Sequence, residues 1–309
     1  MFKKWMSALL CAVFVISTLG SAAAATPETV QAKLADLETD TYGTEQTGAV
    51  IDRLNKLEKD YDGRHRSGSM MSRLNALYDE VYTNSPQPSI LTGLNAIEWN
   101  IDHEVSMKPV DTRIVSLEMM MEGKTNTGTY KKRLGDLGIA SFGTKDLPLQ
   151  QVVVPAGTLI KVALVTPINA KKLKAGDTVQ FKVAEDVVVN GKLVFAKGLP
   201  GEGTVQKVKQ ARNFGRNAEV DIDFNKTKSI DGTYVDTYIG EEAKKEMKNL
   251  AMAAGASIAG IAVLGPAGIV AGAFVKGKNI DLPEGTELII ETKTDDTVYG
   301  VVTMTVDAE

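Results

Sequence analysis

Apolar residues in the N-terminal part of the chain recur with the spacing of a helix. In three successive segments they fall at intervals of four, three and four residues: Val50, Leu54, Leu57 and Tyr61; Met70, Leu74, Leu77 and Val81; Ile90, Leu94, Ile97 and Ile101. Such spacing places them along one face of an amphipathic helix. The whole pattern repeats every 20 residues from Lys33. The sequence therefore predicts a series of helices of about 14 residues each, joined by short turns.

Turn residues separate the predicted helices. Glycines follow the stripes where a helix needs a left-handed C-cap: Gly43, Gly63 and Gly123. Hydroxyl residues precede the next stripe where an N-cap is expected: Thr47, Ser67 and Thr127. One such helix cannot bury its stripe alone, so the units must stack on neighbours or pair as antiparallel hairpins. We predict an α-helical repeat array over 30–140, whose extended surface favours the binding of a partner.

Charged residues also recur in most of the units. The arginines are Arg53, Arg73, Arg113 and Arg133, and the glutamates are Glu38, Glu58, Glu98 and Glu118. Within a unit they are five residues apart, which is not the i,i+4 spacing of an intrahelical ion pair. In one interpretation they link successive units, but a solvated charged face is favoured, because exposed pairs contribute little stability. His65 and His103 lie at or near the turns and are predicted to be ordinary surface residues.

The first residues have the three parts of a secretory signal peptide. Lysines form a positive start, and an apolar run follows over 5–19. The run is shorter than the roughly 20 residues of a membrane-spanning helix. Ala23 and Ala25 then satisfy the A-x-A cleavage rule. Residues 1–25 are therefore predicted to be removed on export, with a retained anchor helix as the alternative. The single cysteine lies in the run, so the mature protein would have none, which suits an oxidising compartment.

In the C-terminal half the pattern changes to β-branched runs punctuated by glycine, which indicates antiparallel strands. Asn190-Gly191, between two apolar runs, is the residue pair of a type I′ hairpin turn. PAGT at 155–158 and PEGT at 283–286 each precede an apolar run. The first and last strands are thus built alike, as in a closed barrel or a sandwich that returns to its start. We predict a β-rich domain over 150–306 and an α+β fold for the whole chain.

One segment of the β-rich part carries no charge over 26 residues, from Leu250 to Val275. This length meets the membrane-spanning threshold. Glycines in and around its centre permit close contact between helices: Gly255, Gly260, Gly265, Gly268 and Gly272. We predict that 250–275 is a helical hairpin that inserts in a membrane or makes an oligomer contact through these glycines. A soluble buried hairpin is the alternative, because alanine and glycine supply little hydrophobicity.

Short stretches of the C-terminal half resemble a known family. They are VPAGTLIKVALVTPIN at 154–169, AGDTVQFKVAEDV at 175–187, AKGLPGEGTV at 196–205, FGRNAEVDIDF at 214–224 and NIDLPEGTELII at 279–290. The arrangement over 152–295 is similar to the C-terminal β-barrel domain of TrbI-type conjugal-transfer proteins, which form the outer-membrane channel of type IV secretion systems. The resemblance implies a barrel and, in the place of 250–275, a helical hairpin that crosses or enters the outer membrane.

The chain also departs from that family. TrbI-type proteins carry an uncleaved inner-membrane helix and a proline-rich linker, whereas this chain has a signal that looks cleavable and an array of helices. The helical repeats are not assigned to a family. The resemblance therefore implies a shared barrel more than a shared role in a secretion channel.

Few residues are suited to catalysis or metal binding. The chain has two histidines and one cysteine, and its net charge of −4 leaves no basic excess for nucleic acid. No nucleophile elbow, phosphate-binding loop, zinc-protease helix or dinucleotide fingerprint occurs. Asp221 and Asp223 share one face of a predicted strand, where a pair can bind Ca²⁺, but an ordinary half-buried strand is favoured. Isolated carboxylates such as Asp186 and Asp231 identify no general acid and base.

These patterns together predict an exported protein without enzymatic activity, cofactor or metal, in the periplasm, the outer membrane or at the cell surface. We expect a structural role, as an outer-membrane-associated scaffold or assembly component. In this interpretation the repeats bind another envelope protein or a cell-wall polymer, and 250–275 anchors a homo-oligomer. The alternative is a soluble secreted module that binds a ligand or a cell-wall polymer, and an unusual hydrolase is the third candidate.

Overall fold

The computed structural model describes residues 29–210, 218–253, 269–270, 274–277 and 280–303. In this part of the chain a group of helices precedes a group of strands, and one further helix lies among the strands, as in an α+β protein. The helices are α1 Val30–Tyr42, α2 Val50–Asp62, α3 Met70–Tyr82, α4 Ile90–Asp102, α5 Val110–Glu122, α6 Tyr130–Phe142 and α7 Glu241–Ala253.

The strands of the described residues run from Leu149 onwards. They are β1 Leu149–Val154, β2 Leu159–Leu164, β3 Ile168–Asn169, β4 Thr178–Val183, β5 Val187–Val189, β6 Lys192–Phe195, β7 Pro200–Lys209, β8 Ala218–Lys228, β9 Tyr234–Tyr238, β10 Ile269–Val270, β11 Phe274–Gly277, β12 Asp281–Leu282, β13 Glu287–Thr292 and β14 Asp296–Val302. All pairings among them are antiparallel.

The ends of α1 to α6 confirm the predicted C-caps but not the predicted N-caps. Each helix has 13 residues. The predicted cap glycines are left-handed, with φ of 84°, 76° and 69° at Gly43, Gly63 and Gly123. The helices begin after other residues than predicted: Thr29, Ala49, Ser69, Ser89, Pro109 and Thr129. Thr47, Ser67 and Thr127 lie in the loops, because a second left-handed glycine follows each of them and delays the next helix.

The six N-terminal helices share one core and close on themselves. Helices that follow one another contact each other, and in addition α1 contacts α5 and α2 contacts α6. Tyr61 and Tyr130 meet edge to face across α2 and α6, with ring centroids 5.2 Å apart. At the end of α1, a Cβ on Gly43 would lie 2.9 Å from Pro109. The predicted extended surface is therefore absent from this region, because the leucine stripes face one another inside a compact bundle.

Six strands form a closed barrel in the order β8, β7, β4, β2, β13 and β9, in which β9 pairs back onto β8. Of the two predicted architectures, the structure thus has the barrel. Alternate side chains point into its core, as Val179, Phe181 and Val183 do on β4. The strands β2 and β13, which the PAGT and PEGT turns introduce, are neighbours in the barrel.

These two turns are built alike. In both, the threonine Oγ1 donates a hydrogen bond of 2.7 Å to the proline carbonyl: Thr158 to Pro155, and Thr286 to Pro283. Each glycine N–H then donates to the end of the other strand, Gly157 to Thr292 at 2.9 Å and Gly285 to Leu164 at 2.8 Å. The repeated tetrapeptide therefore joins the two strands reciprocally and helps close the barrel.

A second sheet has the strand order β1, β14, β6 and β5. Its hairpin between β5 and β6 turns at Asn190 and Gly191, with φ of 50° and 72°. Positive φ at both residues confirms the predicted type I′ turn. Buried residues of this sheet, such as Val152, Leu193 and Val298, belong to the same core cluster as the barrel residues.

Candidate functional site

Buried ion pairs join successive helices of the N-terminal bundle. Each glutamate lies on one helix and its arginine lies 15 residues later on the next: Glu38–Arg53, Glu58–Arg73, Glu98–Arg113 and Glu118–Arg133. The guanidinium nitrogens donate to the carboxylates over 2.5 to 2.9 Å. All four glutamates are at most 5% exposed. The favoured prediction of a solvated charged face is therefore wrong, and the link between successive units is confirmed.

The same carboxylates hold the loops that follow their own helices. In each loop one main-chain N–H, eight residues after the glutamate, donates to Oε2 over 2.9 to 3.2 Å: Gln46, Arg66, Ser106 and Asn126. Burial alone would raise the pKa of Glu118, but hydrogen bonds from Arg133 and Asn126 outweigh it and lower that pKa. The hydrogen bond to Glu118 likewise raises the pKa of Arg133. A charge with this many partners can be buried in the bundle.

The link is missing between α3 and α4, where both of its residues are replaced. Tyr78 stands at the glutamate position of α3, and Gly93 stands at the arginine position of α4. A Cβ on Gly93 would contact Leu147 at 3.4 Å, so the connection to the β-rich part occupies this face. Residues 94–98 of α4 are all buried, which no other helix of the bundle shows over five consecutive residues. The repeat therefore lacks the ion pair between α3 and α4, and α4 is the helix that contacts the β-rich part.

Helix α4 contacts the β-rich part through the turn between β8 and β9. Asn95 Nδ2 donates to the carbonyl of Ile230 at 2.8 Å, while its Oδ1 accepts from Arg113 at 2.7 Å. Just before α4, Asn84 Nδ2 donates to the carbonyl of Asp231 at 2.7 Å. Asn95 thus connects an ion pair of the bundle directly to the barrel.

Asp231 orders the turn that α4 contacts. Its side chain is buried, and Oδ1 accepts from Ser229 Oγ at 2.6 Å and from the N–H of Thr233 at 3.0 Å. Its Oδ2 accepts from the N–H of Tyr299 on β14 at 2.8 Å. One carboxylate therefore joins a barrel hairpin to the second sheet, and the carbonyl of the same residue receives the bond from the bundle.

A second line of contact lies at the C-terminal end of α4. The N–H of Val105 donates to the carbonyl of Lys197 at 2.8 Å, and the Lys197 ammonium lies 2.9 Å from a carboxylate oxygen of Glu104. The hydrogen bond from the Lys197 ammonium lowers the pKa of Glu104. Trp99 Nε1 donates to Asp186 at 2.7 Å. The bundle is thus held to the barrel at both ends of one helix.

A cavity of about 280 Å³ lies at this junction. Its apolar wall comes from α4, from α5 with the loop before it, and from the barrel: Leu91, Met107, Pro109, Val110 and Leu199. Lys228, at the end of β8, and Asp40, near the end of α1, add opposite charges to the wall. Burial lowers the pKa of Lys228, and the field of Arg113 acts in the same direction.

Helix α7 is fixed to the barrel where the chain enters the uncharged segment. Ala243 and Met247 are buried in the barrel core. The N–H of Ala243 donates to Glu291 of β13 at 2.8 Å, which satisfies one of the free donors in the first turn of the helix. Gly240 makes room for this carboxylate, because a Cβ there would lie 1.6 Å from it. After the segment, β11 pairs with β8 and β12 pairs with β3.

The residues predicted to make the membrane or oligomer contact and to flank the cleavage site all lie outside the described residues: Gly255, Gly260, Gly265, Gly268, Gly272, Ala23 and Ala25. The signal peptide over 1–25 therefore stays a prediction. In the predicted helical hairpin over 250–275, α7 extends to Ala253, but 269–270 and 274–275 belong to the antiparallel strands β10 and β11, so the helical prediction is wrong for these residues. The membrane or oligomer contact of the segment stays a prediction. Among the helices that the structure describes, none combines the length and the apolar character needed to cross a bilayer.

The aspartate pair of β8 follows the expected strand pattern. Val220, Ile222 and Phe224 are buried, and Asp221 and Asp223 alternate with them on the other face. Asp221 stands opposite Lys207 of β7, and burial raises its pKa. Across the described ranges, no group of three or more His, Cys, Asp and Glu residues is placed to hold a metal ion.

The two histidines are exposed, as predicted, but one of them has a structural position. His103 follows α4 with a φ of 55°, where Gly43, Gly63 and Gly123 end their helices. Its ring stands edge-on to Trp99, with centroids 6.1 Å apart. A non-glycine residue therefore adopts the left-handed conformation at the junction with the barrel.

Sequence reasoning missed the residues that build the junction. Asn84 and Glu291 belong to no repeat or motif, Asn95 repeats Asn55 and Asn75 without marking a junction, and Asp231 was noted only as an isolated carboxylate. A signal was nevertheless present, because Tyr78 and Gly93 break the charge pattern in adjacent units. When the glutamate and the arginine of a repeated ion pair are replaced together, another part of the protein is expected to cover that side of the helix.

The comparisons with known proteins find a weak likeness among solved structures. No protein-family model and no curated protein match the chain. Among solved structures, ComB10 of the Com type IV secretion system of Helicobacter pylori matches 46% of this chain and 88% of its own, with 15% identity and a TM-score of 0.25. These values do not establish a family, so the resemblance to TrbI-type proteins stays a prediction.

Proposed function

We propose that this protein is a non-enzymatic component of a bacterial cell envelope, which acts as an outer-membrane-associated scaffold or assembly component. The signal-like residues 1–25 support export. In this proposal the uncharged segment 250–275 anchors the protein in a membrane or in a homo-oligomer, and the helical bundle contacts another envelope protein or a cell-wall polymer.

The observation that carries the proposal is the attachment of the barrel to both flanks of the uncharged segment. Before the segment, α7 is held by Ala243, Met247 and Glu291. At its C-terminal end β11 pairs with β8, and after it β12 pairs with β3 while Ile280 and Leu282 are buried. The barrel holds both flanks of the uncharged segment. Whatever holds this segment, a membrane or a second copy of the chain, therefore also holds the barrel.

The junction at α4 supports a scaffold rather than two tethered modules. Hydrogen bonds from Asn95, in the middle of α4, and from Trp99, one turn later, fix the bundle to the β-rich part. Any partner bound by the bundle is then held at a defined distance and orientation from the segment 250–275. A flexible linker would not give this geometry.

The test is fractionation of the full-length protein from its native envelope, followed by a carbonate wash. The variant Ile258→Asp/Ile261→Asp places two charges in the uncharged segment, where each costs about 2.5–3.5 kcal/mol if the segment is at the centre of a bilayer. We expect the parent to resist the wash and the variant to be released. The matched control is Ile51→Asp, which changes an isoleucine that is 39% exposed on α2 and should remain with the membrane.

A second measurement separates anchoring from self-association. Sedimentation of the detergent-solubilised parent and variant gives their oligomer sizes, and a smaller variant would assign the segment to an oligomer contact. If the parent is released by the wash and neither location nor size changes in the variant, the proposal is wrong. The protein is then the soluble secreted binding module that the sequence offered as its alternative.

A further inference from the structure

The lysine in the cavity between the bundle and the barrel differs from its neighbours. Among the described residues, Lys228 makes no hydrogen bond or ion pair; the ring of Tyr234 lies 5.3 Å from its ammonium, and the carboxylate of Asp40 acts on it only through its field. Lys226, two residues earlier on the same strand, also lies over Tyr234 but pairs with Glu202 at 2.9 Å. A charged group with few partners in a partly desolvated place is costly unless an acceptor binds it.

The other charged groups of the cavity are already engaged or lie at its rim. Arg113 donates to Glu98 and to Asn95. Asp40 accepts from the hydroxyl of Tyr82 at 2.8 Å and makes no ion pair with Lys228. Lys108 is exposed and adds a second positive charge at the edge of the cavity. The charge without an acceptor is therefore positive, and it belongs to Lys228.

Five apolar side chains line the cavity, and Thr39 and Asn95 are uncharged polar residues of the same wall. Leu91, Met107, Pro109, Val110 and Leu199 come from three separate elements, and they enclose a space of about 280 Å³. Apolar side chains with a small number of polar groups are the usual composition of a small-molecule site, and Lys228 is the partly buried cation of this wall that lacks an acceptor among the described residues. Methionine at such a wall adapts to the shape of a ligand.

We propose that this cavity binds a small amphipathic anion, whose acidic group pairs with Lys228 and whose apolar body contacts the wall. The acidic group is a carboxylate or a phosphate, because both accept hydrogen bonds from an ammonium. This site goes beyond the scaffold role and does not depend on the segment 250–275. Its place between α4, α5 and β8 means that the ligand contacts the bundle and the barrel together.

The experiment is isothermal titration calorimetry of the full-length protein with octanoate and with octyl phosphate. Octanol and octyltrimethylammonium serve as the neutral and the cationic probe of the same chain length. We expect both or one of the anions to bind, and the other two probes to bind at least about tenfold more weakly. The tighter of the two anions assigns the acidic group.

Variants then test the role of the lysine. Lys228→Met should weaken the anion at least about tenfold, whereas Lys228→Arg keeps the charge and should retain most of the affinity. Lys226→Met is the matched control on the same strand and ring, and it should bind like the parent. The melting temperature of each variant shows that it is folded. Absence of anion binding by the folded parent, or equal binding by Lys228→Met, overturns the proposal.

Discussion

Two neighbouring helix pairs in the bundle show how a repeat responds to a partner. Between α2 and α3 the buried pair Glu58–Arg73 joins the helices, and the carboxylate also holds the loop at Arg66. Between α3 and α4 the same two positions hold Tyr78 and Gly93. The repeat thus keeps its charged link between the other four pairs of successive helices, and it loses both charges between α3 and α4, where Gly93 faces Leu147 of the connection to the β-rich part.

The difference is explained by desolvation. A buried ion pair is stable only when both charges and their remaining hydrogen-bonding atoms have partners, and loss of one member alone leaves an uncompensated charge. Both charges must therefore be kept or lost together, as they are here. At α4 the lost link is replaced by neutral amide contacts, with Asn95 as the residue that belongs to both the bundle and the junction.

The largest effect is expected from Glu118→Ala. The change leaves Arg133 buried without its carboxylate and the N–H of Asn126 without its acceptor, and it should lower the free energy of unfolding by about 3–5 kcal/mol. Tyr78 of α3 stands two units earlier at the same repeat position. Tyr78→Phe should lower the free energy of unfolding by less than about 1 kcal/mol, because no buried charge of the described residues is paired with its hydroxyl. Urea unfolding of both variants measures the comparison.

The same link should be sensitive to acid. The pKa of Glu118 is lower in the folded protein than its ordinary value of 4.5, so its stabilising effect is present above that pH and is lost as the pH falls through the folded pKa. The parent should therefore lose stability below about pH 4.5 faster than Glu118→Ala. Parallel pH dependences, or equal costs for Glu118→Ala and Tyr78→Phe, would contradict the proposed role of the ion pair.

The second largest effect is expected at the turn that receives α4. Asp231→Ala leaves the donors of Ser229, Thr233 and Tyr299 without an acceptor, and should cost about 3 kcal/mol or more. Asp223→Ala removes an exposed carboxylate of the neighbouring strand and should change the free energy of unfolding by about 0.5 kcal/mol or less. A small effect of Asp231→Ala in thermal unfolding would show that the turn does not depend on this carboxylate.

A smaller effect is expected when the two asparagines of the junction are replaced. Asn84→Ala/Asn95→Ala removes two hydrogen bonds from the bundle to the turn and should cost about 2 kcal/mol. Hydrogen exchange should become faster at Ile230 and its neighbours but not in the PAGT turn of the barrel. The control Asn75→Ala removes a contact of Lys33 within the bundle, and it should leave exchange at the turn unchanged.

The smallest effect is expected at the end of α4. His103→Gly relieves a left-handed non-glycine residue and should raise the free energy of unfolding by about 0.5–1 kcal/mol. Gly123→Ala makes the opposite change at the matching position of α5, where no atom lies within 4 Å of the added Cβ, and should cost about 1 kcal/mol. Melting temperatures that move in the same direction would show that backbone conformation does not determine these effects.

Periodicity predicted the local structure well because each repeat carries its own stripe and four of the six helices end at a glycine. The helices, the cap at Gly63 and the turn at Asn190-Gly191 follow from interactions within a few residues. Closure of the bundle does not follow from such local interactions, since contacts such as that of Tyr61 with Tyr130 join residues far apart in the sequence. The same holds for the buried charges, because spacing within a unit could not show that Glu58 reaches the next helix.

The junction between α4 and the barrel was the part of the structure that the sequence predicted least well. Strand patterns and the paired PAGT and PEGT turns indicated a barrel that returns to its start. The junction depends on single amides, such as Asn84 and Asn95, and their main-chain partners Asp231 and Ile230 leave no pattern in the sequence. In the sequence, Lys228 likewise has the pattern of an ordinary strand residue. Its position at a cavity depends on the packing of α4 and α5 against β8.

The central claim is that the bundle and the barrel form one body through α4. Differential scanning calorimetry of the full-length protein and of Asn84→Ala/Asn95→Ala tests it most directly. We expect one cooperative transition for the parent, with a calorimetric enthalpy equal to the van't Hoff enthalpy, and a broadened or split transition for the variant. Two separate transitions in the parent would contradict the claim and would show that the helices and the barrel unfold independently.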